Sequence, residues 1–156
     1  MEQSLEFGSI EEILEFAIDR ERKAQQMYLA YAGSTDRKGF QKLLLSMAQM
    51  EKEHERKLTE LRRGDRAGEL FRPLTGSDQK LDEVLVPVPF SPDMEYGDFL
   101  ILVIQKEGEA EQLYGRLSGL ARDSGAGALF QVLAEEERKH KAWAQDRYDR
   151  DVLTEN

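Results

Sequence analysis

Apolar residues recur along the chain at intervals of three and four, the spacing that places them on one face of an α-helix. Four segments show this pattern, at about residues 10–32, 36–63, 95–119 and 124–149. Ser9 followed by Glu12 has the form of a capping box at the start of the first segment. Gly33 and Gly119 are typical helix stops near the ends of the first and third. The pattern therefore predicts an all-α protein with four long helices.

The stretch at about residues 65–94 lacks this pattern and contains all four prolines, which predicts a crossover connection without a helix. Within it, Val84 to Phe90 has an extended character. The links near 33–37 and 119–124 are short. One long connection between the second and third helices is the connectivity of a ferritin-like four-helix bundle. Because 156 residues are the size of one ordinary domain, we expect residues 1–156 to form a single ferritin-like domain.

The amino-acid composition argues against several kinds of binding partner and metal site. With 22 basic and 31 acidic residues the chain carries a net charge of −9, which argues against nucleic acid and anionic membranes. The absence of cysteine excludes thiolate metal sites and iron–sulfur clusters, and it fits a reducing compartment. The longest apolar run, Phe99 to Ile104, is far shorter than the roughly 20 residues of a membrane helix. The N-terminus lacks a signal-peptide core, so we expect a cytoplasmic protein.

The two halves of the chain repeat each other at an offset of 86 residues, which aligns residues 16–62 with 102–148. Eleven of these 47 positions are identical, whereas chance would give about three at average composition. The matched pairs include Glu21/Glu107, Tyr28/Tyr114, Glu51/Glu137 and His54/His140. Each half is thus predicted to be one helical hairpin that contributes an equal share to a pseudo-symmetric site.

Six polar residues lie within the apolar faces, where the helical period predicts core positions. They are Glu21, Glu51, His54, Glu107, Glu137 and His140. Four buried carboxylates facing one another are unfavourable unless cations neutralise them, and two divalent metal ions would do so. In each Glu-x-x-His pair the two side chains share one helix face, so both can approach one metal.

Carboxylate and imidazole ligands favour iron or manganese, although affinity order alone leaves zinc and copper open. An alternative interpretation is that Glu51 and Glu137 belong to solvated acidic faces beside surface histidines, since both lie in charged runs.

Three further aromatic residues have two interpretations each. Tyr28 and Tyr114 lie two turns beyond Glu21 and Glu107, where their hydroxyls would either bond carboxylates across the bundle or simply pack. Trp143 follows His140 by one turn, and packing in a core or an interface is the simpler interpretation than an electron relay. The methionines are expected to fill the core.

These motifs resemble those of the rubrerythrin branch of the ferritin-like superfamily. The matching segments are Glu21-x6-Tyr28, Ala48-x-x-Glu51-x-x-His54, Glu107-x6-Tyr114 and Ala134-x-x-Glu137-x-x-His140. One Glu from each of two helices and Glu-x-x-His from each of the other two is the di-iron bundle pattern. The resemblance implies that Glu51 and Glu137 bridge two metals. Glu21 with His54 would complete one metal, and Glu107 with His140 the other.

The sequence departs from rubrerythrins proper in two respects. Those proteins add a rubredoxin domain with four cysteines that supplies electrons, whereas this sequence resembles a stand-alone bundle and has no cysteine. They also have an extra glutamate on the third helix. One turn from Glu107 this chain has Ala110, and Glu111 is a weaker substitute as a seventh ligand.

The resemblance implies a non-haem di-iron oxidoreductase that reduces hydrogen peroxide or dioxygen, with Tyr28 and Tyr114 close to the site. Electrons would come from ferrous iron or an external donor, and we expect a homo-oligomer, with a dimer favoured. Three alternatives stay open: an iron storage or ferroxidase protein in an assembly, a di-metal hydroxylase of an organic substrate, and a metal-free helical interaction module.

Overall fold

Four long helices dominate the chain in a computed structural model, which describes residues 3–64, 66–75, 80–85 and 89–153. The elements in chain order are β1 (Gln3–Glu6), α1 (Ile10–Ser34), α2 (Lys38–Arg62), α3 (Ala67–Leu70), β2 (Lys80–Leu85), α4 (Tyr96–Leu120) and α5 (Ser124–Arg147). A π-helical turn, Tyr148–Val152, continues α5.

The long helices form two hairpins, in which α1 packs along α2 and α4 packs along α5. Each hairpin has a short connection, and the long connection runs between α2 and α4. The predicted ferritin-like four-helix bundle with its crossover between the second and third long helices is therefore confirmed.

The helix ends differ in detail from the expectations. Ser9 caps α1 by accepting a hydrogen bond from the Glu12 amide at 3.2 Å, and the Glu12 carboxylate accepts one from the Gly8 amide at 2.7 Å. Gly33 and Gly119 lie inside the last turns of α1 and α4, so neither acts as the predicted stop. Instead Gly64, just beyond α2, has φ of 81°, the left-handed conformation that glycine adopts at helix C-termini.

The crossover contains two elements that the sequence pattern did not predict. One is α3, a single helical turn, and the other is β2, which pairs antiparallel with β1 at the N-terminus. The expectation of a connection without a helix is thus wrong for the turn at α3. Of the predicted extended stretch, Val84 and Leu85 belong to β2, whereas residues 86–88 lie outside the described residues.

Phe71 packs the start of the crossover against the helical bundle. Its side chain is buried, and its backbone forms a bridge to Ala121 at the end of α4. The Arg72 amide donates to the Leu120 carbonyl at 3.0 Å, and the Arg122 amide donates to the Leu70 carbonyl at 2.7 Å. The start of the crossover is therefore fixed against the turn between α4 and α5.

The core consists of two apolar clusters separated by a polar layer. One cluster lies around Leu14, Leu58, Leu117 and Phe130, and the other around Tyr31, Leu44, Phe99 and Leu102. Between them lie the buried polar side chains of the described residues: Glu21, Glu51, His54, Glu107, Glu137 and His140. Each long helix is therefore apolar, then polar, then apolar along its inner face.

Candidate metal centre

The polar layer receives side chains from all four long helices. Glu21 comes from α1 and Glu107 from α4, while α2 supplies Glu51 with His54 and α5 supplies Glu137 with His140. All six predicted ligands are at most 2% exposed. The alternative of solvated acidic faces is therefore excluded for these side chains. A glutamate and a histidine three residues apart point to the same side of their helix, so each pair enters the layer together.

The six side chains form two overlapping groups, in each of which the candidate ligand atoms lie within 4.8 Å of one another. We call Glu21, Glu51, His54 and Glu137 the His54 group, and Glu51, Glu107, Glu137 and His140 the His140 group. The two middle glutamates, Glu51 and Glu137, belong to both groups. This is the division that the resemblance implies for two bridging and two terminal carboxylates.

Short distances connect the histidines to the carboxylates around them. His54 Nδ1 lies 2.9 Å from Glu137 Oε1 and 3.6 Å from Glu21 Oε1. On the other side, His140 Nδ1 lies 3.3 Å from Glu51 Oε1 and 3.5 Å from Glu107 Oε2. Each Nδ1 atom therefore faces carboxylate oxygens of both its own hairpin and the other one.

One atom of each of the six residues is buried without a hydrogen-bond partner among the described residues. These atoms are Glu21 Oε2, Glu51 Oε1, His54 Nδ1, Glu107 Oε2, Glu137 Oε1 and His140 Nδ1. Leaving so many buried polar atoms unsatisfied would cost about 1–3 kcal/mol for each. Oxygen and imidazole nitrogen atoms that converge without bonding one another have the donor chemistry of a site for divalent metals. The residues present thus fit a pair of metal ions.

Burial and neighbouring charges shift the pKa values of three carboxylates in the polar layer. Burial, together with the nearby charges of Glu107 and other carboxylates, raises the pKa of Glu51 and of Glu137 well above the ordinary value. Burial also acts to raise the pKa of Glu107, but contacts with Glu137, His140 and Tyr28 outweigh it and hold that pKa below its usual range. Without a metal, protons are therefore retained on part of the cluster.

The pKa of His54 is raised although its side chain is buried. Burial alone would lower its pKa, but the nearby Glu137 and Glu21 carboxylates, which favour the charged imidazolium, raise the pKa to about 10. A protonated imidazole thus compensates part of the negative charge in the metal-free protein. A metal ion at this nitrogen would have to displace that proton.

Two tyrosines bond the terminal carboxylates across the bundle. The Tyr28 hydroxyl on α1 donates to Glu107 Oε1 on α4, and the Tyr114 hydroxyl on α4 donates to Glu21 Oε1 on α1. Both rings are buried. Of the two interpretations, the structure shows the bonds across the bundle, and each tyrosine satisfies one oxygen of a carboxylate whose other oxygen has no hydrogen-bond partner among the described residues.

Sequence reasoning missed the partners of the outer histidine nitrogens. His54 Nε2 contacts Glu136 Oε2, whereas His140 Nε2 lies 3.1 Å from Met50 Sδ. Met50 lies four residues before His54, and Glu136 lies four residues before His140. Positions 50 and 136 are equivalent at the offset of 86 residues, and in the structure each faces the histidine of the other half. No signal in the sequence alone would place either side chain across the bundle.

Two other residues lie at the border of the site. The Glu111 carboxylate accepts a bond from Lys141 Nζ at 2.6 Å, so it is held outside the polar layer in this structure. The Trp143 ring centroid lies 5.3 Å from that of His140, and the side chain is 39% exposed. Trp143 is therefore not a core residue. Met27 and Met47 pack in the core as predicted, whereas Met50 and Met94 are only partly buried.

Within the part of the chain that the structure describes, no helix has the length and apolarity that crossing a membrane requires.

Comparison with known proteins agrees with this geometry. The sequence model of the rubrerythrin family matches residues 12–81, a range that contains Glu21, Glu51 and His54. No curated protein matches the sequence.

Two solved structures share the fold. One is a protein of Thermotoga maritima assigned to the ferritin-like di-iron carboxylate proteins, with a TM-score of 0.69 and 16% identity, covering 91% of this chain and 95% of the other. The second is a hypothetical protein of Pyrococcus furiosus, with a TM-score of 0.69 and 23% identity, covering 91% and 89%. The chain therefore has a ferritin-like fold and is similar to the rubrerythrin family over residues 12–81, and its buried carboxylates and histidines are suited to a metal site.

Proposed function

We propose that the protein is a non-haem di-iron oxidoreductase that reduces hydrogen peroxide or dioxygen with electrons from ferrous iron or an external donor. The observation that supports this proposal is the set of six ligand atoms in the polar layer, one from each glutamate and histidine, which have no hydrogen-bond partner among the described residues. Four carboxylates and two imidazoles match the ligand set of di-iron helical bundles.

The residues that would hold the metals follow from the two groups. Glu51 and Glu137 would be shared, Glu21 and His54 would hold one ion, and Glu107 and His140 the other. When bound, a pair of ferrous ions supplies two electrons for cleaving an O–O bond. Manganese or zinc would also fit a set of oxygen and nitrogen donors.

Residues around the polar layer would orient the ligands and exclude water for this chemistry. Burial, followed by the charge of nearby carboxylates, raises the pKa of Tyr28 and of Tyr114 well above the ordinary value, so both hydroxyls keep their protons. Each can therefore hold a terminal carboxylate in one orientation, on Glu107 and Glu21 respectively. The apolar clusters on either side exclude bulk water from the polar layer.

The supply of electrons has to come from outside the polar layer. The sequence contains no cysteine, so a rubredoxin-type centre is not built from these residues. We propose a separate electron-donor protein, or ferrous iron itself, as the partner, and a homodimer as the assembly.

Metal binding is tested first, by loading the protein with ferrous iron in the absence of oxygen. We expect two iron ions per chain, and about one in His54→Ala or His140→Ala, with the helices retained in circular dichroism because the apolar clusters are untouched. Glu53→Gln is the matched control on α2, because the Glu53 side chain is 44% exposed and pairs with Arg56. A stoichiometry near zero for the unmodified protein would end the di-iron proposal.

The redox reaction is tested by stopped-flow mixing of the ferrous protein with hydrogen peroxide or dioxygen. One rapid oxidation followed by arrest is expected, and turnover should continue when rubredoxin and its reductase are added. A loaded protein that stays inert to both oxidants for minutes would contradict the redox proposal. If the inert protein also sedimented as a large shell, iron storage would be the better account.

A further inference from the structure

The two histidines of the polar layer differ in what their outer nitrogens contact. The repeat makes His54 and His140 equivalent, and it makes Met50 equivalent to Glu136. A symmetric site would give both histidines the same outer partner. Instead, His54 Nε2 contacts a carboxylate oxygen of Glu136, and His140 Nε2 lies 3.1 Å from the thioether sulfur of Met50.

These two partners have unequal effects on a metal-binding imidazole. A carboxylate is a strong acceptor, so it holds the ring proton on Nε2, leaves the Nδ1 lone pair for a metal and makes the ring a better donor. A thioether is a weak acceptor and carries no charge. His54 is therefore oriented and activated by its partner, whereas His140 is mainly packed by its own.

The surroundings of the two histidines agree with a charged partner for His54 and an uncharged partner for His140. The Glu136 side chain is 26% exposed, so its charge can be hydrated on the outer side while its Oε2 atom contacts the buried ring. On the His140 side, the aromatic ring of Trp143 adds a second uncharged neighbour at a centroid distance of 5.3 Å.

We infer that Glu136 is a positioning residue that makes the His54 group the tighter of the two metal positions, so that it fills first. This inference rests on the proposed metal-binding function, and it adds the order in which the two metal positions fill. Loss of such an outer partner weakens metal binding by about 10- to 100-fold.

The order of filling can be observed directly, because the chain has only two histidines. We propose to label them with 15N and to titrate the metal-free protein with zinc, which accepts the same ligand types. His140→Ala assigns the two sets of ring signals. The His54 signals should change with the first equivalent of zinc, and the His140 signals with the second.

Three variants test the cause of the order. Glu136→Gln should weaken zinc at His54 by about 10- to 100-fold and abolish or reverse the order. Met50→Glu should strengthen zinc at His140. Glu135→Gln is the matched control, because it removes the same charge one residue away, at a side chain that pairs with Arg138. This control should leave the order unchanged.

The outcomes separate this inference from the function on which it rests. If zinc changes neither set of histidine signals, the metal site itself is wrong. If zinc binds but both sets change together, or His140 changes first, the order is wrong and the metal site stands. If the order holds in Glu136→Gln as it does in the unmodified protein, Glu136 is not its cause.

Discussion

Each terminal glutamate of the polar layer has its two oxygens in different surroundings. In Glu107, Oε1 accepts the hydroxyl of Tyr28 and Oε2 has no hydrogen-bond partner among the described residues. Glu21 has the same division, with Tyr114 as its donor. A carboxylate that is bonded on one side keeps a fixed orientation, which leaves the other oxygen available to a metal.

Removing one of these hydroxyls should therefore destabilise the protein. We expect Tyr28→Phe to lower the free energy of unfolding by about 1.5–3 kcal/mol, because a buried bond to a charged acceptor is lost. Tyr114→Phe should have a similar effect. Urea unfolding of the zinc-loaded protein measures both.

Tyr31→Phe is the control for removal of a tyrosine hydroxyl. Tyr31 donates to the neutral backbone carbonyl of Met94 at 3.0 Å, so its loss should be smaller, about 0.5–1.5 kcal/mol. Equal losses for Tyr28→Phe and Tyr31→Phe would show that the bond to Glu107 has no special strength.

At the scale of the helix, the positions of the polar residues depend on where each helix begins. α5 starts at Ser124 after the cap residue Asp123, whose carboxylate accepts a bond from the Ala126 amide at 2.9 Å. The same helix then places Glu137 and His140 in the polar layer. A cap at the start of α5 therefore helps to fix the register in which these two ligands reach the site.

Asp123→Ala should lower the free energy of unfolding by about 0.5–2 kcal/mol, because an amide of the first turn of α5 loses its acceptor. Ser124→Ala is the neighbouring control. Ser124 is exposed, and within the described residues its side chain makes no hydrogen bond, so we expect a change within about 0.5 kcal/mol. Denaturant unfolding of the two variants compares them. A larger loss in Ser124→Ala would contradict the role of the cap.

The helices were largely predictable from sequence because their signals are local. The apolar period marks each helix, and Ser9 with Glu12 marks the start of α1. The pairing of β1 with β2 was not predictable in this way, since it joins segments about 80 residues apart and is irregular between Gln3 and Leu5. Pairing over such a distance depends on the arrangement of the whole chain.

The site likewise contains residues that were predictable from local sequence patterns and contacts that were not. Glu51 and His54 were predictable because both lie on one helix at a spacing with a known chemical meaning, and the repeat supplied their counterparts. The contact between His54 and Glu136 depends instead on the relative height of α2 and α5, which no local pattern reports.

For the whole molecule, metal-free stability should fall as pH rises. Burial raises the pKa of Glu51 and Glu137 in the folded state, so the stability that their protons confer is complete below the unfolded value and is lost as pH rises. The pKa of His54, raised to about 10 by its carboxylate contacts, acts in the same direction between the unfolded value of 6.5 and 10. The lowered pKa of Glu107 has the opposite effect, but only in more acidic solution.

We therefore expect the free energy of unfolding of the metal-free protein to fall by a few kcal/mol between about pH 5 and pH 9, since one pKa unit corresponds to about 1.4 kcal/mol. With zinc bound the trend should reverse over the acidic part of this range, because protons and metal compete for the same atoms. Thermal unfolding with and without zinc across this range measures both trends. Identical curves would contradict the coupling of metal and protons.

The polar layer also lies on the seam between the two hairpins, since α1 and α2 supply half of its residues and α4 and α5 the other half. Cutting the chain within the crossover would produce two fragments that each hold half of a ligand set. Without metal, the facing carboxylates would oppose reassembly of the fragments, whereas a metal ion held by both Glu51 and Glu137 would favour it. We therefore expect a divalent metal to promote reassembly of the two fragments.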